Sequence, residues 1–519
     1  MRPTRGNAAD LPGSCRFRRA GRPLGLSRPL AALVSCLAVV PLWTTAGAIA
    51  AEPPAAAAAE TVVEIDTRFT VQGSLLATVN ATAAAADTPT EAAVTTLEVE
   101  PHAVNADATI RYRQATSEGG RNAAGQTAVR QYLAAGAALE IAGQEVRQQL
   151  PAEARQVFWT EADGRLEPWL ADGFVTRQER DLLSVPFDLW WQDVLSPPAD
   201  SEAASWTLDP AGLARLLWID TVESADVVAT VDQIDANEVT VRFNGSVAGA
   251  VDGAATAIDV DGTYCWAAGG AAGPGVTRLK ARIRERRQAG HAGPGLDVEA
   301  VVETTCRPAG GPVADLASSG QAGPEDDNGR DHGAEKRRPR RGPGRPGFLW
   351  LTDPRGRFDL VHDGRWRLIE RQSGRTVLRL VDRGSLLAQA TIVPLPPTAD
   401  PPELEVFRRD IERSLEGQFN HVVSASESRR SDGTRLLRVS SAGEADDLPF
   451  RWIHYHLSHP EGGRASVSFM VEAGLVDRFA EADRRLVDGF SLAVSQLRPG
   501  DGPKLGQRQA SRLTAPRRD

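Results

Sequence analysis

An alternating segment between residues 224 and 306 most constrains the fold of this chain. Apolar and polar residues alternate in four runs separated by Gly, Pro, Asn and Asp turns: 238 to 243, 255 to 264, 276 to 286 and 296 to 305. A period of two places apolar side chains on one face of a strand and polar side chains on the other. The segment therefore predicts an antiparallel meander with one buried and one solvated face.

The third run carries five cations at every second position: Arg278, Lys280, Arg282, Arg284 and Arg286. In a strand they line one face over about 27 Å. One interpretation is an anion-binding stripe for phospholipid headgroups or an acidic polymer. The other is a salt-bridged ladder, which the number of matching acids in the adjacent runs favours. Those acids are Asp259, Asp261, Asp297, Glu299 and Glu303.

The first 50 residues have the pattern of a cleaved signal peptide. Seven arginines precede an apolar run from Leu30 to Leu42, and Ala48 and Ala50 form a small-residue cleavage site before Ala51. We therefore expect export to the periplasm or the extracellular space.

Two alternatives remain for this segment. The residues before Cys36 match a lipoprotein cleavage box, which predicts lipidation at that cysteine. Residues 29 to 50 are also long enough for an uncleaved anchor. The apolar run continues past Cys36, which disfavours lipidation, and it contains Pro41, which disfavours an uncleaved anchor. No later run approaches about 18 apolar residues, so we expect no transmembrane segment in the mature chain and leave peripheral membrane contact open.

The charge balance excludes a generic nucleic-acid binder. The full chain has 59 basic and 68 acidic residues. Removal of residues 1 to 50 takes away seven arginines and one aspartate, which leaves 52 basic and 67 acidic residues and a net charge of −15. A generic nucleic-acid binder carries a net positive charge instead.

The mature chain keeps two cysteines, Cys265 and Cys306. In an oxidising compartment an isolated pair is expected to form one disulfide. The predicted meander places them on strands separated by a third strand, about 9.6 Å apart. A disulfide needs Cα atoms within about 7 Å, so one cysteine must then lie in a loop. Otherwise both are buried as small apolar residues.

Composition divides the chain into two folded regions, 61 to 306 and 348 to 495. Residues 307 to 347 are rich in Gly, Pro and charge and predict a disordered linker, and 496 to 519 a disordered tail.

The first region contains a helical segment from 184 to 218. Ser184 is predicted to cap a helix whose apolar stripe includes Phe187 and Trp191. Such a stripe favours the core over a ligand site. By analogy with envelope lipid carriers, a curved sheet closed by these helices would hold an apolar ligand.

The second region predicts strands, a helix, strands and a final helix, and hence an α+β fold with an antiparallel sheet packed by two helices. The order of segments in this region resembles the PsbP-like α/β/α sandwich. Those segments are Phe358 to Val361, Trp366, the strand to Pro394, the hairpin 452 to 470 and the helix ending at Phe490. That resemblance implies a non-enzymatic accessory or binding domain and assigns no site residue. The whole chain, with its turn 290 to 297, resembles uncharacterised exported proteins of planctomycete-type bacteria.

His454 and His456 share a strand face, as two zinc ligands would, and His459 follows at the turn. They form a weak candidate metal site, because a third ligand is not assigned.

No catalytic motif is found, so no catalytic residue and no cofactor is predicted. Gly489-x-Ser491-x-Ala493 misses the nucleophile-elbow pattern. The first hypothesis is a monomeric, exported binding or accessory protein for an envelope component or a small apolar ligand. The alternatives are an envelope hydrolase or polymer-modifying enzyme with a dispersed site, and a scaffold.

Overall fold

The computed structural model describes residues 62–80, 97–116, 127–162, 165–198, 205–267, 275–309, 344–382, 384–398 and 400–493. The predicted signal peptide, most of the predicted linker and the predicted tail lie outside these residues. Antiparallel sheets dominate the described chain, and its helices are short. The α+β class therefore describes the fold only loosely.

The first region forms a 13-stranded antiparallel sheet. Its strands are β1 (Val62–Asn80), β2 (Leu97–Thr116), β3 (Thr127–Ile141), β4 (Gln144–Gln149), β5 (Gln156–Ala162), β6 (Arg165–Trp169), β7 (Ser205–Thr207), β8 (Thr221–Ala225), β9 (Val228–Ile234), β10 (Glu238–Val251), β11 (Ala254–Ala267), β12 (Gly275–Arg287) and β13 (Gly295–Pro308). The main order is β6-β5-β3-β2-β1-β13-β12-β11-β10-β9-β7, with β4 paired to β3 and β8 to β10.

The predicted meander is confirmed as β10 to β13. Val241 and Phe243 are buried on the inner face, while Arg242 points to solvent. On β12 the same alternation buries Leu279, Ala281 and Ile283 and exposes the cations between them. Since β1 pairs with β13, the N-terminal strands extend the meander into one sheet with one inner face.

A helical cover packs on that inner face. It consists of α1 (Arg177–Leu183), a 3-10 helix (Leu189–Leu195) and α2 (Pro210–Leu217). Their apolar side chains, such as Leu182, Leu195 and Leu216, join the strands in one core. The predicted Trp-rich stripe is confirmed as core, since Phe187 and Trp191 are buried.

The predicted start of this helical segment at Ser184 is wrong. Ser184 ends α1, which begins after Thr176 with a capping box to Glu179. The 3-10 helix begins later, after Asp188, which caps the backbone N–H of Trp190. Pro186 accounts for the gap between the two helices because a proline disfavours helical backbone at the residue before it.

The second region contains a seven-stranded sheet and a small three-stranded sheet. The strands are β14 (Phe348–Thr352), β15 (Phe358–Asp363), β16 (Trp366–Gln372), β17 (Arg375–Asp382), β18 (Ser385–Leu395), β19 (Phe419–Arg429), β20 (Arg435–Ala445), β21 (Leu448–Ser458), β22 (Arg464–Glu472) and β23 (Phe490–Leu492). The larger sheet has the order β16-β17-β18-β22-β21-β20-β19, and the smaller β14-β15-β23.

Helices lie on both faces of the larger sheet. Helix α3 (Leu404–Leu415) packs through Phe407 against Leu437 and Val439. Helices α4 (Val476–Phe479) and α5 (Ala482–Asp488) belong to the main core of the region on the other face. No helix in the described chain has the length and apolar character needed to cross a membrane.

The two regions are in contact. Leu349 of β14 packs in the core of the first region, and the backbone N–H of Trp350 donates to the carbonyl of Val175 at 2.9 Å. Arg367 of β16 donates to Asp252, in the β10–β11 turn, also at 2.9 Å. The second region therefore covers part of the first.

Candidate functional site

The five predicted cations lie on the solvated face of β12, and all five form ion pairs. The pairs are Arg278–Glu238 (2.8 Å), Lys280–Glu303 (2.7 Å), Arg282–Glu299 (3.5 Å), Arg284–Glu299 (3.1 Å) and Arg286–Asp259 (3.3 Å). Their side chains are 59–67% exposed, so each pair contributes only about 0–1 kcal/mol to stability. This arrangement matches the ladder interpretation, and we call it the ionic ladder.

The predicted disulfide is wrong, because Cys265 and Cys306 lie on opposite faces of the sheet. The Oγ1 atom of Thr240 lies 3.8 Å from the sulfur of Cys265, which pairs across the strands with Arg278 on the solvated side. Cys306 packs against the core. Strand β12 also separates β11, which carries Cys265, from β13, which carries Cys306. Neither the distance between the two cysteines nor the direction of their side chains therefore suits a disulfide.

The predicted metal site does not form. His454 and His456 share a face of β21 opposite Ser468 and Ser466. His459 lies apart, with its Nε2 atom 3.1 Å from the carbonyl of Asp432. Among the described residues no group of three His, Cys, Asp or Glu side chains is placed to hold a metal ion.

Burial lowers the pKa of both strand histidines to about 4. His456 contacts Phe407 edge to face, and a guanidinium nitrogen of Arg464 lies 3.4 Å from its Nε2 atom. Both histidines are therefore neutral at pH 7; His456 is buried, and His454 is half-buried.

The most site-like hollow lies beside the helical cover. It has a volume of about 500 Å³, within the range of small-molecule pockets. We call it the Trp groove; it is lined by Arg165, Trp191, Pro210, Ala211, Ala214, Arg215, Trp218, Ile219, Asp220 and Val222.

Local structure fixes the two ends of α2 at the groove. Asp209 caps the helix by accepting a 2.8 Å hydrogen bond from the backbone N–H of Gly212. Gly212 lets the helix approach closely, because a Cβ there would meet Val194 at 2.5 Å. Trp218 ends the helix with a φ of 55° and donates from its indole nitrogen to the carbonyl of Val185 at 2.8 Å. The groove is therefore preformed.

One end of the groove is polar. Arg165, at the start of β6, pairs with Asp220 at 2.5 Å. Asp220 also accepts a 2.6 Å hydrogen bond from the backbone N–H of Asp252. Burial raises the pKa of Asp220 to about 7, although the attraction of Arg165 opposes the shift. Burial likewise raises the pKa of Asp252 to about 6. Such shifts are common at functional sites.

Arg215 forms the other polar part of the groove. Its guanidinium lies 5.0 Å from the ring centroid of Trp191, a cation–π distance. Its Nε atom donates to the carbonyl of Ala211 at 3.4 Å. In the described part of the chain Arg215 has no carboxylate partner, unlike every cation of the ionic ladder.

Two other hollows are weaker candidates. One, of about 740 Å³, lies near the ends of β10 to β13 on a floor that includes Ala248, Ala255 and Ala257. The other, of about 550 Å³, lies on the ionic ladder. Arg286 lines both, and Asp259 already neutralises it. No described residue that lines either hollow is aromatic.

Sequence reasoning missed the charged residues of the Trp groove. It identified the helical segment 184 to 218 and Trp191 in its apolar stripe, but Arg165 and Asp220 are 55 residues apart. The one local signal is Arg215, one turn before Trp218 near the end of α2.

No protein-family model matches the chain, and no curated protein matches it. Among solved structures, the cyanobacterial PsbP of Synechocystis sp. PCC 6803 is 10% identical, with 28% of this chain and 93% of that chain covered and a TM-score of 0.24. OccK5 of Pseudomonas aeruginosa is 7% identical, with 80% and 98% covered and a TM-score of 0.11. OpdK of the same organism, solved with vanillate, shows the same identity, coverage and TM-score. The PsbP-like resemblance is distant, and these similarities show no family.

Proposed function

We propose that this chain is an exported, non-enzymatic binding protein of the bacterial cell envelope, and that the Trp groove holds its ligand. The proposal is carried by one observation: a preformed groove that combines a tryptophan floor with a few convergent polar groups. That combination is typical of small-molecule sites. Export is supported by the pattern of residues 1 to 50.

The chemistry of the lining favours binding over catalysis. Among the described residues that line the groove, Asp220 is the one carboxylate and none is Ser, Cys, His, Lys or Tyr. Arg165 already forms an ion pair with that carboxylate. A glycoside hydrolase that uses carboxylates needs a second one as base or nucleophile. A binding protein needs only shape and fixed polar groups.

A hydrolase is the second candidate because of one observation. The pKa of Asp220 is raised to about 7, which suits a general acid at neutral pH. In that case Asp220→Asn abolishes turnover of a bound substrate and preserves its binding.

We further propose that the second region is a PsbP-like accessory domain. Support comes from its antiparallel sheet, which has helices on both faces. In this proposal it holds the binding region in place at the envelope rather than contributing to the Trp groove, whose lining comes from the first region alone.

The test is the mass of the protein purified from its native envelope, first under native and then under denaturing conditions. We expect a chain that begins at Ala51 and a discrete extra mass that is lost on denaturation. Ala214→Trp, which fills the groove, is expected to abolish the extra mass. Ala103→Trp, at an exposed position of β2, is the matched control and should retain it. A bare chain in the native spectrum would contradict the proposal.

A further inference from the structure

We infer that the Trp groove is specific for a small amphipathic anion, whose apolar body contacts Trp191, Trp218 and Ile219 and whose anionic group pairs with Arg215. This inference rests on the proposed binding function and adds the chemical class of the ligand. It follows from the charges, the position of Arg215 and the apolar lining.

The charges of the groove do not balance. Among the described lining residues, two guanidinium groups, Arg165 and Arg215, face one carboxylate, Asp220. Since Arg165 is paired with that carboxylate at 2.5 Å, the excess positive charge resides at Arg215. A ligand that brings one negative charge neutralises it, and charge-assisted hydrogen bonds to a guanidinium are among the strongest in proteins.

Arg215 is held in place before any ligand arrives. The indole of Trp191 lies below its guanidinium, and Trp191 is itself buried. A guanidinium stacked on an aromatic ring keeps its N–H donors free at its edge. Because the side chain is already ordered, an anion that binds there loses less affinity to the ordering of side chains.

The rest of the groove is apolar. The rings of Trp191 and Trp218 and the side chain of Ile219 are buried at its floor. Ala211 and Ala214 of α2 are small and leave the space above that floor open. An alkyl or aryl group fills this space with a gain in buried apolar area, whereas a bare inorganic anion gains none.

The ionic ladder shows why positive charge alone does not define such a site. Each of its cations has a carboxylate within salt-bridge distance, and all are strongly exposed. An anion must displace those partners and remains in water, so that face offers little net attraction. Arg215 combines an unneutralised charge with an apolar neighbourhood.

The experiment is isothermal titration calorimetry of the full mature protein with sodium decanoate and with 1-decanol, which share a chain length and differ in charge. We expect decanoate to bind at least tenfold more tightly than decanol. Arg215→Gln should weaken decanoate binding about tenfold and leave decanol binding unchanged. Arg242→Gln is the matched control, since Arg242 is an exposed cation paired with Asp232 on the solvated face. It should leave both affinities unchanged, and near-ultraviolet circular dichroism checks that each variant is folded.

Equal affinity for decanoate and decanol, with no effect of Arg215→Gln, would overturn the ligand class and leave the binding function standing. Decanoate binding that Ala214→Trp does not block would also overturn it, because the anion would then bind elsewhere. If neither probe binds and the native protein carries no extra mass, both the ligand class and the binding function fail. If neither probe binds but the native protein carries a neutral ligand, the ligand class alone fails.

Discussion

A buried ion pair attaches the helical cover to the sheet. Arg130 of β3 donates from its two Nη atoms to the carboxylate of Asp188 at 2.7 Å each, and both side chains are 1% exposed. Its Nε atom donates to Gln114 at 2.7 Å. Its guanidinium lies 4.6 Å and 4.8 Å from the ring centroids of Tyr112 and Trp159. Asp188 is the residue that caps the 3-10 helix of the groove.

Asp188→Asn is the most informative perturbation of this pair. Asparagine keeps the size and the capping oxygen, but its NH2 group replaces the oxygen that accepts from one Nη atom of Arg130. The substitution therefore removes the negative charge opposite a buried guanidinium and one of the two hydrogen bonds of the pair. Removing one partner of a buried pair costs about 3–5 kcal/mol, which is a large part of the stability of a typical domain. Arg130→Met should cost a similar amount because it leaves Asp188 buried without its cation. The double variant should cost clearly less than the sum, since neither charge is then left alone.

The assay is urea unfolding of each variant, followed by tryptophan fluorescence and by far-ultraviolet circular dichroism. The slope of the unfolding free energy with urea should stay constant while the midpoint falls. A loss below about 1 kcal/mol for Asp188→Asn, or strict additivity in the double variant, would refute the argument that these charges stabilise each other in the core.

Four further predictions concern other parts of the chain. Arg367→Met removes the 2.9 Å ion pair with Asp252 and should lower the unfolding free energy by about 3 kcal/mol. Amide hydrogen exchange in the β10–β11 turn should become faster, and unchanged exchange would contradict the prediction. His456 has a folded pKa of about 4 against about 6.5 when unfolded, so its contribution is complete above pH 6.5 and is lost as the pH falls toward 4, by up to about 3 kcal/mol. His456→Phe should reduce that pH dependence in urea unfolding, while His454, whose pKa is also about 4, keeps its own contribution; an unchanged profile would refute the assignment. Lys280→Ala should cost less than about 1 kcal/mol, and the loss should disappear in 1 M salt; a larger, salt-independent loss would contradict a surface pair. Gly73→Ala should lower the melting temperature, because a Cβ there would lie 2.2 Å from the carbonyl oxygen of Asp297 and the φ of Gly73 is +149°. An unchanged melting temperature in calorimetry would contradict this prediction.

The sequence predicted the features of the fold that depend on neighbouring residues. The alternation from Val239 to Phe243 and the cations of β12 define two faces, because the period of a strand is a local property. The partners of those cations depend on strand register instead. Glu238 pairs with Arg278 across the intervening strand β11, and the sequence pattern gave no sign of it.

The predictions that failed depended on long-range geometry. The two cysteines met the compositional expectation of a disulfide, but the pleat places the half-buried Cys265 on the solvated face and Cys306 on the core face. Trp191 was correctly predicted to be core, yet its role as a groove floor depends on Arg165 and Asp220, which approach only after the sheet and its helical cover assemble. Local patterns do not determine such approaches.

The crystal structure of the protein with decanoate tests the central claim most directly. We predict electron density for the alkyl chain against Trp191 and Trp218 and for the carboxylate within hydrogen-bond distance of Arg215. Density at the ionic ladder or at the alanine-floored hollow, with an empty Trp groove, would contradict the account.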